Sequence, residues 1–442
     1  MPPNLILVTC DQLRAFEMGC HGHPVVRTPH LDALAAGGVR FEQCLSNNPV
    51  CTPARSCLLT GQYSRTATGM LGNVHENPPD HQRTRLVAPT LPEVLRQHGY
   101  HTALIGKWHM AIRPEVVGFD QARYPLVTHY NYGQVYFDET GAHRKIAGFT
   151  GSFEADWVDQ FLAQDHPQPF YLNYNLSLPH QPIGPRHLPP PYPTLFSRDQ
   201  VHLRGNTRPA TGKMDDAFWF KVYRGDDYYW DWLQKLPERP EDRLPPDFDL
   251  RDLHALYYGA IACVDDAVGR LMATLRRLKL AENTVVCFVS DHGDNLGSLG
   301  LYNKGTPNEE STRVPLIFSG HGISPGVDRR HLAQLLDVMP TLLDQVGLPV
   351  PPTVQGRSLV PALRQPDSED LPAGDVVIET PSGWLALRTP SHLYAIGYDA
   401  AQRQLKAQPE WLFDLSADPL QMCNLAASVT HASLRHELRA RL

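Results

Sequence analysis

The chain has 442 residues, with 40 basic and 47 acidic side chains and a formal charge of −7. That length supports one large domain with an appendage, or two domains, and a core that needs no disulfides. Both signs of charge are interspersed, which excludes the basic stripe of a nucleic-acid binder and the acidic block of a disordered tail.

No segment reaches the ~18 unbroken apolar residues that span a bilayer, so no membrane partner is expected. The chain opens "MPPNLILVTCDQ", without a basic n-region or a long apolar run. The expectation is a cytoplasmic, reducing location, or a periplasmic or secreted one if a leader was removed. Eight cysteines show no zinc-ribbon spacing.

In chain order, the first apolar run, 4–10, is short and β-branched, and a helical pattern over 28–37 follows it. Next comes "NNPVCTPARSCLLTG", in which Pro53 suits the first turn of a helix because its missing N–H has no partner there anyway. A helix over 90–98, a strand over 100–106 and a strand over 169–178 follow. The last members are a long helix over 253–278 and strands over 283–291 and 314–320. Apolar runs of this kind are buried parallel strands, and their alternation with helices predicts an α/β domain with a mostly parallel central sheet.

Proline numbers 40 residues, against a usual share of ~5%, and clusters at 179–193 and 237–246, toward the two ends of an aromatic insertion at about 181–250. Trp219, Tyr223, Tyr228, Tyr229, Trp230 and Trp232 lie in it, as sugar-stacking rings or as pins for the insertion itself. A helix over 335–348 ends at "PVPP", which places a boundary near 350. The large domain is therefore 1–350. The remainder, 351–442, reads as a small α+β subdomain with an antiparallel sheet and a closing helix.

Chemistry collects at the strand ends. The first strand stops at Asp11-Gln12 and the second runs into Lys107-Trp108-His109. The third meets His180, and the fourth Asp291-His292. In open α/β sheets ligands bind beyond the carboxyl ends of strands. Asp11, Asp291 and the Gln12 amide are hard oxygen donors, and His292 adds a nitrogen. A divalent ion is expected, calcium first, with manganese or magnesium next. Cys51 stands at a helix N-terminus, where the dipole favours negative charge, with Arg55 one turn on. By itself it suits a buried thiol, half of a disulfide, a metal ligand, a thiolate nucleophile or a residue converted to another group, although three residues between cysteine and arginine are too few for a thiolate-phosphatase loop.

C-T-P-A-R followed by S-C-L-L-T-G, then GKWH, PHQP, SDHGD, "NKGTPNEESTRVPLI" and "WLFDLSADPLQMCNL", occur in an order that resembles the sulfatase family of the alkaline phosphatase superfamily. The resemblance runs from residue 4 to about 425 and implies an alkaline-phosphatase-like fold. It implies that a formylglycine-generating enzyme converts Cys51 to Cα-formylglycine (3-oxoalanine), whose hydrate attacks the sulfur of a sulfate monoester. Cys51 would also join Asp11, Gln12, Asp291 and His292 around the metal. Arg55, Lys107 and Lys304 would hold the sulfate oxygens, His180 or Lys304 would protonate the leaving alcohol, and His109 would take a proton from the second hydroxyl. A small-molecule or saccharide sulfate is the expected substrate.

Two departures from the family's usual paired aspartate and Asp-Asn motifs, Asp11-Gln12 and Asp291-His292, resemble phosphonate monoester hydrolases and choline sulfatases. They keep a phosphonate monoester or phosphodiester hydrolase as the alternative, with Asn73 as a further metal-side candidate. A silent anion-binding homologue is the non-enzymatic alternative, and the complete set of cations and ligands argues against it.

Overall fold

The computed structural model describes residues 2–442 apart from 70, 74–85, 87, 111, 126–128, 211–213, 226–244, 373 and 400–403. The strands are β1 (Asn4–Asp11), β2 (Gly38–Leu45), β3 (His101–Gly106), β4 (Gln121–Pro125), β5 (Val135–Asp138), β6 (His143–Lys145), β7 (Phe170–Pro179) and β8 (Thr284–Ser290). They continue with β9 (Arg313–Val314), β10 (Leu316–Gly320), β11 (Gly326–Gln334), β12 (Val376–Glu379), β13 (Trp384–Arg388), β14 (His392–Asp399) and β15 (Gln404–Asp414). Among the described residues, eleven of these form one sheet in the order β11-β2-β10-β8-β1-β7-β3-β4-β5-β6, with β9 beside β2.

The centre of the sheet explains the apolar runs. All eight residues of β1 are buried, and β1 lies parallel to both β7 and β8, while β3 lies parallel to β7. Alternate residues of β1 serve opposite faces. Ile6, Val8 and Cys10 enter the core beneath helices Thr150–Leu162 and Leu250–Arg277, and Leu5 and Leu7 enter the core shared with helices Cys51–Thr60, Leu91–Gln97 and Val338–Gln345. β8, β1, β7 and β3 therefore present four adjacent carboxyl ends along one edge.

The run at 314–320 differs from its parallel reading. It begins as β10 after Pro315 and pairs antiparallel with both β8 and β2. A strand buried on both faces carries the same apolar run in either direction, so its composition does not encode its sense. The strands β2 and β11 lie outside the sequence reading, and β2 carries Arg40, Glu42 and Gln43 among its apolar residues.

Beyond residue 350, β12 to β15 form a separate antiparallel sheet. One face packs on Leu45 and Leu332 of the large sheet, and the other is covered by Leu438 of helix Ala432–Arg441. The described part of the insertion is pinned down. Trp219 stacks on Tyr302 at 5.5 Å between ring centroids, and the Tyr223 hydroxyl donates to Asp294 at 2.6 Å. Tyr228, Tyr229, Trp230 and Trp232 lie outside the described residues.

Gly106 ends β3 at φ 96°, and a Cβ there would stand 2.0 Å from the Asn175 carbonyl oxygen. Only glycine lets β3 lie this close to β7 while turning Lys107 inward. Away from the site, Glu154 is 2% exposed and receives the Tyr136 hydroxyl at 2.6 Å. Burial raises its pKa to about 7. The folded protein then holds a proton that the unfolded chain releases, so this contribution is complete below about pH 4.5 and fades as pH rises to 7. E154Q should remove about 3 kcal/mol of the stability lost between pH 4.5 and 7. Urea midpoints of both proteins across that range check it, and parallel curves would contradict it.

Candidate active site

The Cys51 helix shows how the fold presents one atom. All ten of its residues are buried, and it ends at Gly61, which adopts φ 62° and donates its N–H to Cys57 O. Buried on every side, the helix has no need of a polar stripe. At its N-terminus the Thr52 N–H donates to Asn73 Oδ1 at 3.0 Å, and the Thr52 hydroxyl donates to His109 O at 2.9 Å. Asn73 thus caps the helix next to the site.

Sγ of Cys51 lies at the meeting point of the strand ends. His292 Nε2 is 3.2 Å away, Lys304 Nζ 3.3 Å, Lys107 Nζ 3.7 Å and Asp11 Oδ1 3.8 Å. Burial pushes the thiol pKa up, but Lys107, Lys304 and His292 outweigh it, and it falls well below the ordinary value. Cys57, two turns along the same helix, meets burial without such cations, and its thiol is pushed up. One helix therefore carries a thiol in an anion-stabilising environment and another that is inert.

The carboxylates are held by cations. Lys107 Nζ contacts Asp11 Oδ2, and Arg55 Nη2 reaches Asp291 Oδ2 at 2.9 Å and Asp11 Oδ2 at 3.5 Å. Burial and Cys51 raise the Asp11 pKa, yet Lys107, His180 and Lys304 prevail and it ends below the ordinary value. Arg55 Nη1 donates to Lys107 O at 3.3 Å. Its guanidinium therefore faces the two carboxylates and a backbone carbonyl, whereas a sulfate clamp was expected. Arg55 fixes the acidic groups, and Lys107 and Lys304 are the cations beside Sγ.

The chemistry of the donor set fits a divalent ion. Single donor atoms of Asp11, Cys51, Asp291 and His292 all lie within 4.8 Å of one another. His292 Nδ1 is 2.9 Å from Gly293 O, and since a carbonyl only accepts, Nδ1 carries the proton. Nε2 then points a lone pair at Asp11 Oδ1 (3.5 Å) and Asp291 Oδ1 (3.6 Å). Three electron-rich atoms facing one another call for a cation between them, and an imidazole fixed by a backbone carbonyl is a usual metal-ligand arrangement. Burial lowers the His292 pKa, but Asp291 and Cys51 together outweigh it and the net shift is upward, another sign of a place that favours positive charge.

Gln12 is placed differently from the metal-ligand role expected of it. Its Nε2 donates to Gln181 Oε1 at 2.7 Å and to Asp294 Oδ2, and its Oε1 accepts from Lys304 Nζ at 2.7 Å. With nitrogen toward two acceptors and oxygen toward a donor, the amide orientation is self-consistent. Gln12 orients Lys304.

On the open side, His180 Nε2 is 2.6 Å from Lys304 Nζ, and His180 Nδ1 is 2.5 Å from Gln181 O. The carbonyl again fixes the tautomer, so Nε2 accepts from the lysine. One proton lies between two groups that can give it to a leaving oxygen. Lys304 is the partly exposed cation here, whereas Lys107 is 3% and Arg55 4% exposed. His109 is buried beside Cys51, and burial lowers its pKa to about 4, so it is neutral at pH 7. His129 stacks on His180 and meets His109 edge-on.

Of the expected residues, Asp11, Cys51, Arg55, Lys107, Asp291, His292, Lys304 and His180 form one linked cluster. His109 joins it through Thr52 and His129. Sequence reading missed Asp294, Gln181 and His129. The first two sit inside motifs already singled out, SDHGD and PHQP, where proximity to a ligand was the available signal. His129 stands in no motif.

A family model described as Sulfatase matches residues 3–348, and one described as N-sulphoglucosamine sulphohydrolase, C-terminal, matches residues 297–442. The chain belongs to the sulfatase family, and with this site it is a sulfuric-ester hydrolase. It is similar to an ulvan-active sulfatase of Formosa agariphila, 29% identical over 463 residues that cover 100% of this chain and 80% of that one. It is 30% identical over 463 residues to choline-sulfatase of Rhizobium meliloti, covering 96% and 82%. A solved structure of a protein in complex with its substrate D-glucosamine-2-N,6-O-disulfate matches with TM-score 0.81 at 23% identity, covering 100% and 97%. At that identity the likeness speaks to the fold.

Proposed function

We propose that the protein hydrolyses the sulfate monoester of a saccharide, through an oxygen nucleophile made from Cys51. The observation that carries this is the position of Sγ, at a helix N-terminus, between two lysines and beside the acidic donor set. The sulfur atom stands where the oxygens of a formylglycine hydrate would be. That hydrate supplies a nucleophile and a second hydroxyl through which sulfate is expelled.

The chain's own groups do the rest. Lys107 and Lys304 flank the reacting atom and stabilise charge that grows on the sulfate oxygens. The Lys304–His180 pair gives its shared proton to the leaving alcohol. Neutral His109 takes the proton of the second hydroxyl. Arg55 holds Asp291 and Asp11 in place. Asp11, Asp291 and His292 would hold the divalent ion, which adds positive charge beside the nucleophile. The nitrogen donor favours manganese over calcium, which takes oxygen ligands.

Cys51 is fully buried, as is the whole of its helix. A maturing enzyme that reads Cys51, Pro53 and Arg55 must therefore act before the chain folds. A saccharide substrate is supported by the C-terminal family match and by the ulvan-active relative.

Gln12 and His292 favour a second reading, phosphonate monoester hydrolysis at the same site. Turnover of an aryl sulfate and an aryl phosphonate monoester by matured, metal-loaded protein separates the two. We expect kcat/KM at least about 10-fold higher for the sulfate, a difference of about 1.4 kcal/mol in barrier. The reverse order by the same margin would overturn the sulfatase reading.

A further inference from the structure

We infer that His129 is a positioning residue for proton delivery: its ring clamps His180 so that the Lys304–His180 pair is held at the leaving oxygen. The inference rests on the hydrolytic reading above and deepens it. His180 is tied at one edge by Nδ1 to Gln181 O at 2.5 Å and at the other by Nε2 to Lys304 at 2.6 Å. Both contacts lie at the ring edge, and neither puts a steric stop in the way of rotation about the Cβ–Cγ bond, which would carry Nε2 away from Lys304. His129 lies over the face of the ring, with ring centroids 4.1 Å apart and planes 6° from parallel. It blocks that rotation.

Two further observations set His129 apart from general packing. Its backbone adopts φ 55°, the left-handed region that residues with a Cβ rarely enter, as do Gln12 at 69° and His109 at 52°. Such conformations persist where the surroundings demand them, and they cluster at functional sites. The same ring meets His109 at 5.8 Å and 72°, so it stands between the two histidines given proton-transfer roles. Lying over the π-face of His180, it does not reach the proton on Lys304. That makes it a positioning group. In the step it supports, a new S–O bond forms to the oxygen nucleophile at position 51 as the S–O bond to the alcohol breaks, the proton passes from the pair to the alcohol oxygen, and the pair is left one proton poorer.

Leaving-group dependence is the readout, because an activated phenolate departs without a proton and an alkoxide does not. Matured, metal-loaded wild type, H129A and H129F are compared on 4-nitrophenyl sulfate and on an alkyl sulfate, with thermal midpoints recorded. For H129A we expect kcat on the alkyl ester to fall about 100-fold and on the aryl ester less than about 3-fold, with KM nearly unchanged. H129F keeps a flat ring without titratable nitrogens and should stay within about 3-fold of wild type on both. Equal losses on the two esters, or H129F as impaired as H129A on the alkyl ester, would overturn the inference. If H129A does not fold, H129L takes its place with the same expectations. If wild type cleaves phosphonates but no sulfate ester, the sulfatase reading fails, and the same series on aryl and alkyl phosphonates decides the role of His129.

Discussion

Cys51→Ser should end multiple turnover, lowering kcat by about 10⁴-fold or more while leaving the fold intact. A serine offers one hydroxyl in the place of Sγ, beside Lys304 at 3.3 Å and Lys107 at 3.7 Å. It can displace the alcohol from a sulfate ester once. It lacks the second hydroxyl through which sulfate would be expelled, so the ester stays on the protein. Rapid-quench measurements should show at most one leaving group released per site, and intact mass should show protein carrying sulfate. C51A should show neither burst nor adduct. Sustained turnover by C51S would mean that water attacks directly and that Cys51 is no precursor of the nucleophile.

Arg55→Ala should destabilise the metal-free protein by about 3–5 kcal/mol, because a buried carboxylate loses its partner. Asp291 is fully buried, and its closest cationic contact is Arg55 at 2.9 Å. Arg55 also spans to Asp11 at 3.5 Å, so its loss loosens both acidic donors. Activity should fall with stability, by about 10²-fold or more, through misplacement rather than lost substrate contact. Excess divalent metal should restore part of the stability, about 2.7 kcal/mol at 100-fold over its dissociation constant. Urea midpoints with and without metal check this. A near-wild-type midpoint without metal, or a loss that metal leaves unchanged, would contradict the role given to Arg55.

How much of this was legible in the sequence follows from which interactions are local. Strand ends are local: a run such as 4–10 must stop where Asp11 begins, and four such ends became neighbours because β8, β1, β7 and β3 are adjacent. The Cys51 helix was legible for the same reason, since Pro53 and Gly61 punctuate it. Strand direction was not, as β10 shows, because burial on both faces erases the pattern that would distinguish the two senses. Side-chain roles within the cluster were also hidden. Arg55 and Gln12 lie in the cluster, but their partners are hundreds of residues away: Arg55 turns to Asp291, and Gln12 to Lys304 and Asp294. His129 had no local mark at all, and only the packing of His180 reveals it.

The central claim is that the working residue at position 51 carries oxygen where the gene encodes sulfur. It is tested most directly by the mass of the peptide containing residue 51, from protein produced alongside a formylglycine-generating enzyme and assayed in the same preparation. The account predicts a formylglycine peptide whose fraction rises in proportion to specific activity. Fully active protein in which every such peptide carries an unmodified cysteine would contradict it.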